Sequence, residues 1–144
     1  MAEPDNFFIS TDKSLLDINV IFNFLSSSYW ANGRSIHTIK QSIENSLCFG
    51  VYLNKKQIGF ARVITDYSTF GYIADVFILE EHRGNGYSKE LIKAIKECSE
   101  LQNIRRWMLA TKDAHGLYAK FGFQQLKNPE RFMEIVNPYS PTAN

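Results

Sequence analysis

The chain has 144 residues, of which 44% are hydrophobic, 14% aromatic and 22% charged, and 16 basic against 15 acidic side chains leave a net charge of +1. This length is typical of one domain, so we predict a single domain over residues 1–144 with a loose tail at about 137–144. Balanced, dispersed charge excludes the basic surface that binds nucleic acid or an anionic membrane. No apolar run approaches the ~20 residues that span a bilayer, and the amino terminus lacks the regions of a secretion signal, which predicts a cytoplasmic protein.

The first third of the chain predicts a strand followed by two helices. Residues 7–10 have the composition of a short strand, and apolar residues recur at helical spacing over 15–25. A second, more polar helix is predicted over 35–45. The loop between the two helices contains Tyr29 and Trp30, which we expect to be exposed.

The rest of the chain alternates strands and helices. Three neighbouring antiparallel strands are predicted over 47–53, 58–65 and 70–79. A helix with a buried apolar stripe follows over 86–100, and then come a strand at 107–110, a helix at 113–120, and two closing strands at 123–126 and 131–136. This order predicts an α/β fold in which a mixed sheet is flanked by helices.

The two cysteines and three histidines give no sign of a metal site. Cys48 and Cys98 lie far apart in the sequence and no two histidines share a ligand spacing, so we predict buried free thiols and no bound metal.

The most informative segment is RGNGYS at residues 83–88, because it links the predicted strand at 70–79 to the predicted helix at 86–100. A helix start presents unpaired backbone N–H groups and partial positive charge. Two glycines that allow close approach, together with the Arg83 guanidinium, suit a diphosphate. We therefore expect a nucleotide-like cofactor at this turn.

Two familiar phosphate-binding patterns do not fit this turn. A dinucleotide fingerprint would need a third glycine where Lys89 stands, and a mononucleotide loop would need a longer glycine spacing that ends in Lys and Ser or Thr. What remains is an arginine, two residues, a glycine, one residue and a small residue, at Arg83, Gly86 and Ser88.

That pattern resembles the acyl-coenzyme A signature of the GNAT superfamily of N-acetyltransferases, with Ser88 in place of the usual Gly or Ala. Further along the chain, DAHGLYAKFGF at residues 113–123 resembles the second signature of the same superfamily. Asp113 stands where the family often has Asn, so no cofactor contact is carried over to it. The resemblance extends more loosely from about Phe7 to Val136.

The resemblance implies a GNAT-like fold, with a mixed, mostly antiparallel central sheet whose splayed central strands form the acyl-CoA cleft. It implies acetyl-CoA as co-substrate and no metal. Backbone groups of one strand are expected to hold the pantetheine arm, and those of the glycine turn to hold the diphosphate. The implied cofactor-binding residues are Phe77, Ile78, Leu79, Arg83, Gly84, Asn85, Gly86, Tyr87 and Ser88.

The resemblance also implies a catalytic Tyr118, placed near the thioester sulfur to protonate the departing thiolate. The alternative for Tyr118 is a ring that fills the core. Asp75 is the leading candidate for the base that deprotonates the amine, with a pKa raised by burial. The alternative for Asp75 is a structural acid that pairs with an arginine such as Arg62, and Asp66 or a water relay also remain open as the base.

The acceptor is expected near Tyr29, Trp30 and Arg34, which suggest a moderately apolar small-molecule primary amine that can carry a carboxylate. Trp30 is open to a second interpretation, as a core residue of its loop. We predict N-acetyl transfer by direct attack in a ternary complex. A non-catalytic acyl-CoA sensor and an acetyltransferase of protein or peptide amines remain as alternatives, and a homodimer is compatible with the resemblance.

Overall fold

The computed structural model describes residues 5–139. Their core is a five-stranded sheet in the order β1-β2-β3-β4-β5, antiparallel throughout except for the parallel pair β4 and β5. The strands are β1 (Phe7–Ser10), β2 (Leu47–Leu53), β3 (Lys56–Thr65), β4 (Phe70–Ile78) and β5 (Arg106–Leu109).

Four α-helices accompany the sheet. They are α1 (Ile18–Ser27), α2 (Ile36–Glu44), α3 (Tyr87–Glu97) and α4 (His115–Ala119), and single 3₁₀ turns lie at Lys13–Leu15, Glu80–His82, Ser99–Leu101 and Pro129–Arg131. The predicted α/β fold with a mixed, mostly antiparallel sheet is therefore confirmed. Within residues 5–139, no helix is long and apolar enough to cross a membrane.

Side-chain caps decide where the first two helices begin. The Asp17 carboxylate accepts hydrogen bonds from the backbone N–H groups of Asn19 and Val20, so α1 begins at Ile18 and not at residue 15 as its apolar spacing suggested. The Ser35 hydroxyl accepts from Thr38 N at 3.1 Å and begins α2 where the sequence predicted it. Each cap satisfies donors that the helix itself leaves unpaired.

The sheet separates two hydrophobic clusters. On one face, Leu91, Ile92 and Ile95 of α3 are fully buried against the sheet. On the other, Ile21 of α1 and Ile39 of α2 are buried with aromatic residues of β3 and β4. Burying a side chain of this size stabilises the fold by about 2 kcal/mol. The clusters thereby fix the positions of α1, α2 and α3 around the sheet.

The two closing strands predicted at 123–126 and 131–136 are wrong. Past β5, the described chain contains α4 and one 3₁₀ turn but no further strand. Both segments have strand-forming residues, but a strand also needs a neighbouring edge with which to pair, and neither segment pairs with one here. Residues 137–139 of the predicted tail are irregular, and the remainder of that tail lies outside the described residues.

Both cysteines are free thiols, as predicted, although only Cys48 is buried. Burial raises the pKa of the Cys48 thiol to about 11. Cys98 is half-buried and lies just beyond the last residue of α3, in extended backbone. Among residues 5–139, no three His, Cys, Asp or Glu side chains are grouped so that they could hold a metal ion.

Candidate active site

A cleft opens where β4 and β5 part. β5 pairs with β4 only from Phe70 to Ile73, whereas β4 continues to Ile78. Residues 74–78 therefore have no paired strand on the β5 side within the described chain. The cleft beside them has a volume of about 860 Å³. Arg83 and Ser88 line it together with Tyr118, Tyr29, Trp30 and Arg34. The fold thus brings the predicted catalytic and acceptor residues to one cavity with four of the nine predicted cofactor residues, Phe77, Ile78, Arg83 and Ser88, whereas Leu79 and residues 84–87 do not line it.

The glycine turn leaves its backbone open on the side where a ligand would lie. Gly84 and Gly86 have φ angles of +85° and +79°, in the left-handed region that favours glycine. Apart from its own and the two adjacent residues, a Cβ atom built on either glycine would meet nothing within 4 Å. The Asn85 amide donates to the His82 carbonyl at 3.1 Å and holds the turn in this conformation. A ligand can therefore approach the main chain closely here.

The backbone N–H groups of this turn are free to bind an anion. Within the described chain, the N–H groups of residues 84–88 have no protein acceptor, and the first hydrogen bond of α3 runs from Glu90 N to Gly86 O at 3.1 Å. The Arg83 Nε atom donates to the Ile78 carbonyl at 3.1 Å, which fixes the guanidinium beside the turn. Free donors at a helix start, next to a guanidinium, are suited to a diphosphate.

Two of the predicted cofactor residues have other contacts. The Tyr87 ring stacks on Phe7 with centroids 4.7 Å apart, so Tyr87 offers the cleft only its backbone. Leu79 N donates to Ile58 O at 2.8 Å, and Leu79 O accepts from His82 N at 2.9 Å. The prediction that the Leu79 N–H is offered to a cofactor arm is therefore wrong, because that donor is already paired. The Leu79 carbonyl keeps a second lone pair and can still accept.

Tyr118 is part of both the core and the cleft. Its side chain is 8% exposed, and its ring packs edge-on against Phe123 with centroids 5.9 Å apart. Burial, with a smaller contribution from Tyr29, raises the pKa of Tyr118 to about 12. The phenol therefore remains protonated at neutral pH, the state that a proton donor requires.

Asp75 lies at an irregularity in β4. Ala74 pairs with Arg62 and Phe77 with Phe60, so two residues of β4 face one residue of β3 in a β-bulge. Asp75 has a φ angle of +56°, a conformation that Asp and Asn tolerate better than most residues. The bulge directs the Asp75 side chain towards two arginines.

Both carboxylate oxygen atoms of Asp75 accept hydrogen bonds from neighbouring side chains. Oδ2 accepts from Arg34 Nη1 at 2.8 Å and from Arg62 Nε at 2.9 Å, and Oδ1 accepts from Trp30 Nε1 at 3.0 Å. Burial by itself raises the pKa of Asp75, but the two guanidinium groups outweigh it and lower the pKa overall. The raised pKa that we predicted for a catalytic base is therefore wrong, and the alternative pairing with Arg62 is present.

Asp66 is also unsuited to act as the base. Its carboxylate accepts hydrogen bonds from Thr69 Oγ1 and from the backbone N–H groups of residues 68–70, within the hairpin that joins β3 to β4. These hydrogen bonds, led by that from Thr69, lower the pKa of Asp66. Asp66 does not line the cleft.

Aromatic residues occupy the end of the cleft where the sequence predicts the acceptor. Tyr29 and Trp30 are 64% and 37% exposed and pack edge to face with centroids 5.2 Å apart. Trp30 is therefore exposed at the cleft, although its indole N–H is tied to Asp75. The Arg34 Nε atom donates to the hydroxyl of Tyr139 at 2.9 Å, which draws the end of the described chain against this region.

Residues 16–123 match the family model of the acetyltransferase (GNAT) family. The chain belongs to the GNAT family. A protein of Gibberella zeae that is assigned as an acetyltransferase is 32% identical to this GNAT chain, over 83% of it and 82% of the relative. A crystal structure of a protein assigned to the same family, from Xanthomonas campestris pv. campestris, is 46% identical with a TM-score of 0.91, and covers 96% of this chain and 98% of its own.

A more distant structure shares the fold of this GNAT acetyltransferase. It comes from a Clostridium acetobutylicum protein assigned as an acetyltransferase and solved with acetyl-CoA, with 16% identity and a TM-score of 0.65, over 92% of this chain and 96% of that one. The family and the GNAT-like fold that the sequence predicted are confirmed.

The GNAT cleft also contains residues that sequence reasoning missed. Phe24 stacks on Phe77 at 4.1 Å, Lys112 Nζ lies 5.3 Å from the centre of the Tyr29 ring, and Tyr72 lines the cavity from β4. Tyr72 fits the apolar pattern of its strand, so nothing in the sequence marked it. Phe24 lies off the apolar face that Ile21 and Leu25 form in its helix, and an aromatic residue off that face was a usable signal. Lys112 directly precedes the second signature, and that position was a usable signal.

Proposed function

We propose that this GNAT protein transfers the acetyl group of acetyl-CoA to the nitrogen of a small-molecule primary amine, by direct attack in a ternary complex. One observation carries the proposal: a single cleft is lined by Arg83 and Ser88 of the glycine turn, by the buried phenol of Tyr118, and by the exposed aromatic residues Tyr29 and Trp30. The cleft therefore has room and suitable groups for both substrates of an acetyl transfer.

Several features support acetyl-CoA as the co-substrate. The free N–H groups of residues 84–88 and the Arg83 guanidinium suit its diphosphate. The edge of β4 over residues 74–77 has no paired strand and suits its amide-containing arm, because an extended ligand can hydrogen-bond to a strand edge. The next carbonyl, that of Ile78, accepts from Arg83 Nε. The Clostridium neighbour was solved with acetyl-CoA, and a fold neighbour from Mycobacterium tuberculosis, 16% identical, was solved with CoA.

Tyr118 is proposed to donate a proton to the departing thiolate, because its raised pKa keeps it protonated and it lines the cleft. The acceptor amine must lose a proton before it attacks, and deprotonating an amine of pKa ~10.4 at pH 7 costs about 4 to 5 kcal/mol. Asp75 and Asp66 are both engaged in hydrogen bonds, which leaves a relay through water as the proposed path for that proton.

Direct attack is favoured over an acetyl-cysteine intermediate. Neither cysteine lines the cleft. Cys48 is buried in the cluster on the α1 and α2 face of the sheet, where its raised pKa suppresses the thiolate. A thiol in that state is a poor nucleophile.

The charge and shape of the acceptor end favour a small amine that carries a carboxylate. Arg34 and Arg62 face a single carboxylate, that of Asp75, so the cluster keeps one positive charge. The aromatic rings of Tyr29 and Trp30 provide an apolar surface beside it. Tyr139 also contacts the Arg34 guanidinium, through its hydroxyl and its ring.

A panel of amines with acetyl-CoA and a free-thiol assay tests this proposal. We expect release of CoA thiol with small amines that carry a carboxylate, and slower release with the matched amides of those acceptors. Binding of acetyl-CoA without turnover on any amine would favour the sensor alternative. Turnover confined to peptide amines would favour the protein acetyltransferase alternative.

Replacing Arg83 tests the proposed diphosphate site. Arg83→Ala should weaken acetyl-CoA binding about 10- to 100-fold, because a charge-assisted hydrogen bond is worth about 1.5–3 kcal/mol. Titration calorimetry measures the effect, and the control is Lys89→Ala, which removes a neighbouring exposed cation. Equal losses of affinity in the two variants would contradict a specific role for Arg83.

A further inference from the structure

Lys112 brings a primary amine of the chain itself into the active-site cleft. Of the lysines in residues 5–139, Lys112 alone lines this cavity. Its Nζ atom lies 5.3 Å from the centre of the Tyr29 ring, and it forms neither an ion pair nor a hydrogen bond with the residues that the structure describes. The cleft that is suited to an acetyl donor therefore already contains an amine that could accept the acetyl group.

The position of Lys112 in the cleft favours contact with a bound thioester. Residues 110–114 follow β5 after it has parted from β4, and all five line the cleft. Residues 72–78 of β4 also line it, as does Tyr118. The edge of β4 and Tyr118 are the groups proposed above for the arm and the thioester of acetyl-CoA. Lys112 therefore shares one cavity with the groups that would hold and activate the donor.

The Lys112 side chain is held only weakly in its present position. Its contact with the Tyr29 ring is a cation–π interaction, which contributes little at an exposed site. Burial, and to a smaller extent Tyr29, raises the pKa of Tyr118, so Tyr29 lies within electrostatic reach of the phenol. The flexible four-carbon stem of Lys112 can therefore carry its amine from the Tyr29 ring towards Tyr118 at little cost.

We propose that Lys112 is a self-acetylation site, at which its Nζ atom attacks the thioester of acetyl-CoA bound to the same chain when no other acceptor fills the cleft. The ammonium group first loses one proton to water. The Nζ–C bond then forms and the C–S bond breaks. The departing CoA thiolate takes a proton from Tyr118, and the second proton that leaves the nitrogen restores the phenol. The products are acetyl-lysine, CoA and one released proton.

Proximity distinguishes Lys112 from the other lysines of the chain. Two groups that are held in one cavity react in an effectively unimolecular step, whereas a lysine outside the cleft meets acetyl-CoA only from solution. Acetylation would replace the Lys112 cation with a neutral and longer side chain, and so would change the charge at the acceptor end of the cleft. The proposal rests on the acetyl-CoA binding of the proposed function, and not on its small-molecule acceptor.

Mass spectrometry of the chain after incubation with acetyl-CoA alone tests the proposal. Peptide mapping should show acetylation of Lys112 about tenfold or more faster than that of Lys120, which is exposed and lies outside the cleft. Lys112→Arg should lose the fast modification, because a guanidinium stays protonated, and the matched control Lys120→Arg should keep it. Equal rates at Lys112 and Lys120 in the wild-type chain overturn the proposal.

Two further measurements on the wild-type chain show whether the reaction takes place in its own cleft. With saturating acetyl-CoA, the half-time for Lys112 should not change when the protein is diluted about tenfold. Excess CoA should slow Lys112 and leave Lys120 unchanged, because CoA competes for the cleft. A rate that falls in proportion to the protein concentration, or one that excess CoA does not lower, overturns the proposal.

The amine panel separates a failure of this proposal from a failure of the proposed function. Turnover of small amines by a chain whose Lys112 stays unmodified overturns self-acetylation and leaves the proposed function intact. Fast acetylation of Lys112 without turnover of any small amine supports self-acetylation and contradicts the small-molecule acceptor.

Discussion

Tyr118→Phe should lower kcat for acetyl transfer by about 100-fold or more and leave the affinity for acetyl-CoA within about twofold of wild type, because loss of a general acid typically costs 10²–10⁴ in rate. The phenol lines the cleft, and its ring packs edge-on against Phe123. Removing one oxygen therefore keeps the packing on Phe123. Free-thiol kinetics and calorimetry measure the two effects separately.

The pH profile adds a second readout for Tyr118. With a pKa of about 12, its proton is present below that value and lost above it. If Tyr118 is the proton donor, kcat should not decline between pH 7 and 10 through loss of its proton, and should decline only above that range. Tyr67→Phe is the matched control, because Tyr67 is exposed in the hairpin before β4 and should keep full activity. A Tyr118→Phe enzyme within twofold of wild-type kcat would remove Tyr118 from the mechanism.

Local sequence signals were sufficient for most of the fold. β1 and β2 have the predicted bounds. For β3, β4 and β5, each observed end lies within two residues of the predicted end. The glycine turn was also predictable, because its donors, its two left-handed glycines and its guanidinium all lie in six consecutive residues. Short-range patterns specify features of this kind, since every group that matters is close in sequence.

Features that depend on distant residues were not predictable. The donors that bind the Asp75 carboxylate include Arg34 and Trp30, which are 41 and 45 residues away in sequence. Periodicity alone gives no indication of which side chains a β-bulge will bring together. The two predicted closing strands failed for a related reason, because pairing requires an edge that the segment itself does not specify.

The role of the Asp75 cluster leads to the largest expected effect on stability. Asp75→Asn should lower the free energy of unfolding by about 3 kcal/mol or more, because removing one partner of a buried ion pair leaves uncompensated charge. The Asp75 side chain is 2% exposed, and those of Arg34 and Arg62 are 10% and 11% exposed. Asparagine keeps the shape and tolerates the left-handed φ of this position, so the change reports on charge.

The free energy of unfolding that Asp75→Asn loses should depend on pH, and it should be larger at neutral than at acidic pH. The pKa of Asp75 is lowered in the folded protein, so its ion pairs stabilise the fold fully above the unfolded value of ~3.9 and less as pH falls below it. Urea unfolding should therefore show a large gap between wild type and Asp75→Asn at pH 7, and a smaller gap below about pH 4. Glu97→Gln, a change at an exposed carboxylate, should leave stability near wild type. If the difference in free energy of unfolding between wild type and Asp75→Asn is equally large at both pH values, the variant is destabilised by changed packing and not by loss of the Arg34 and Arg62 ion pairs.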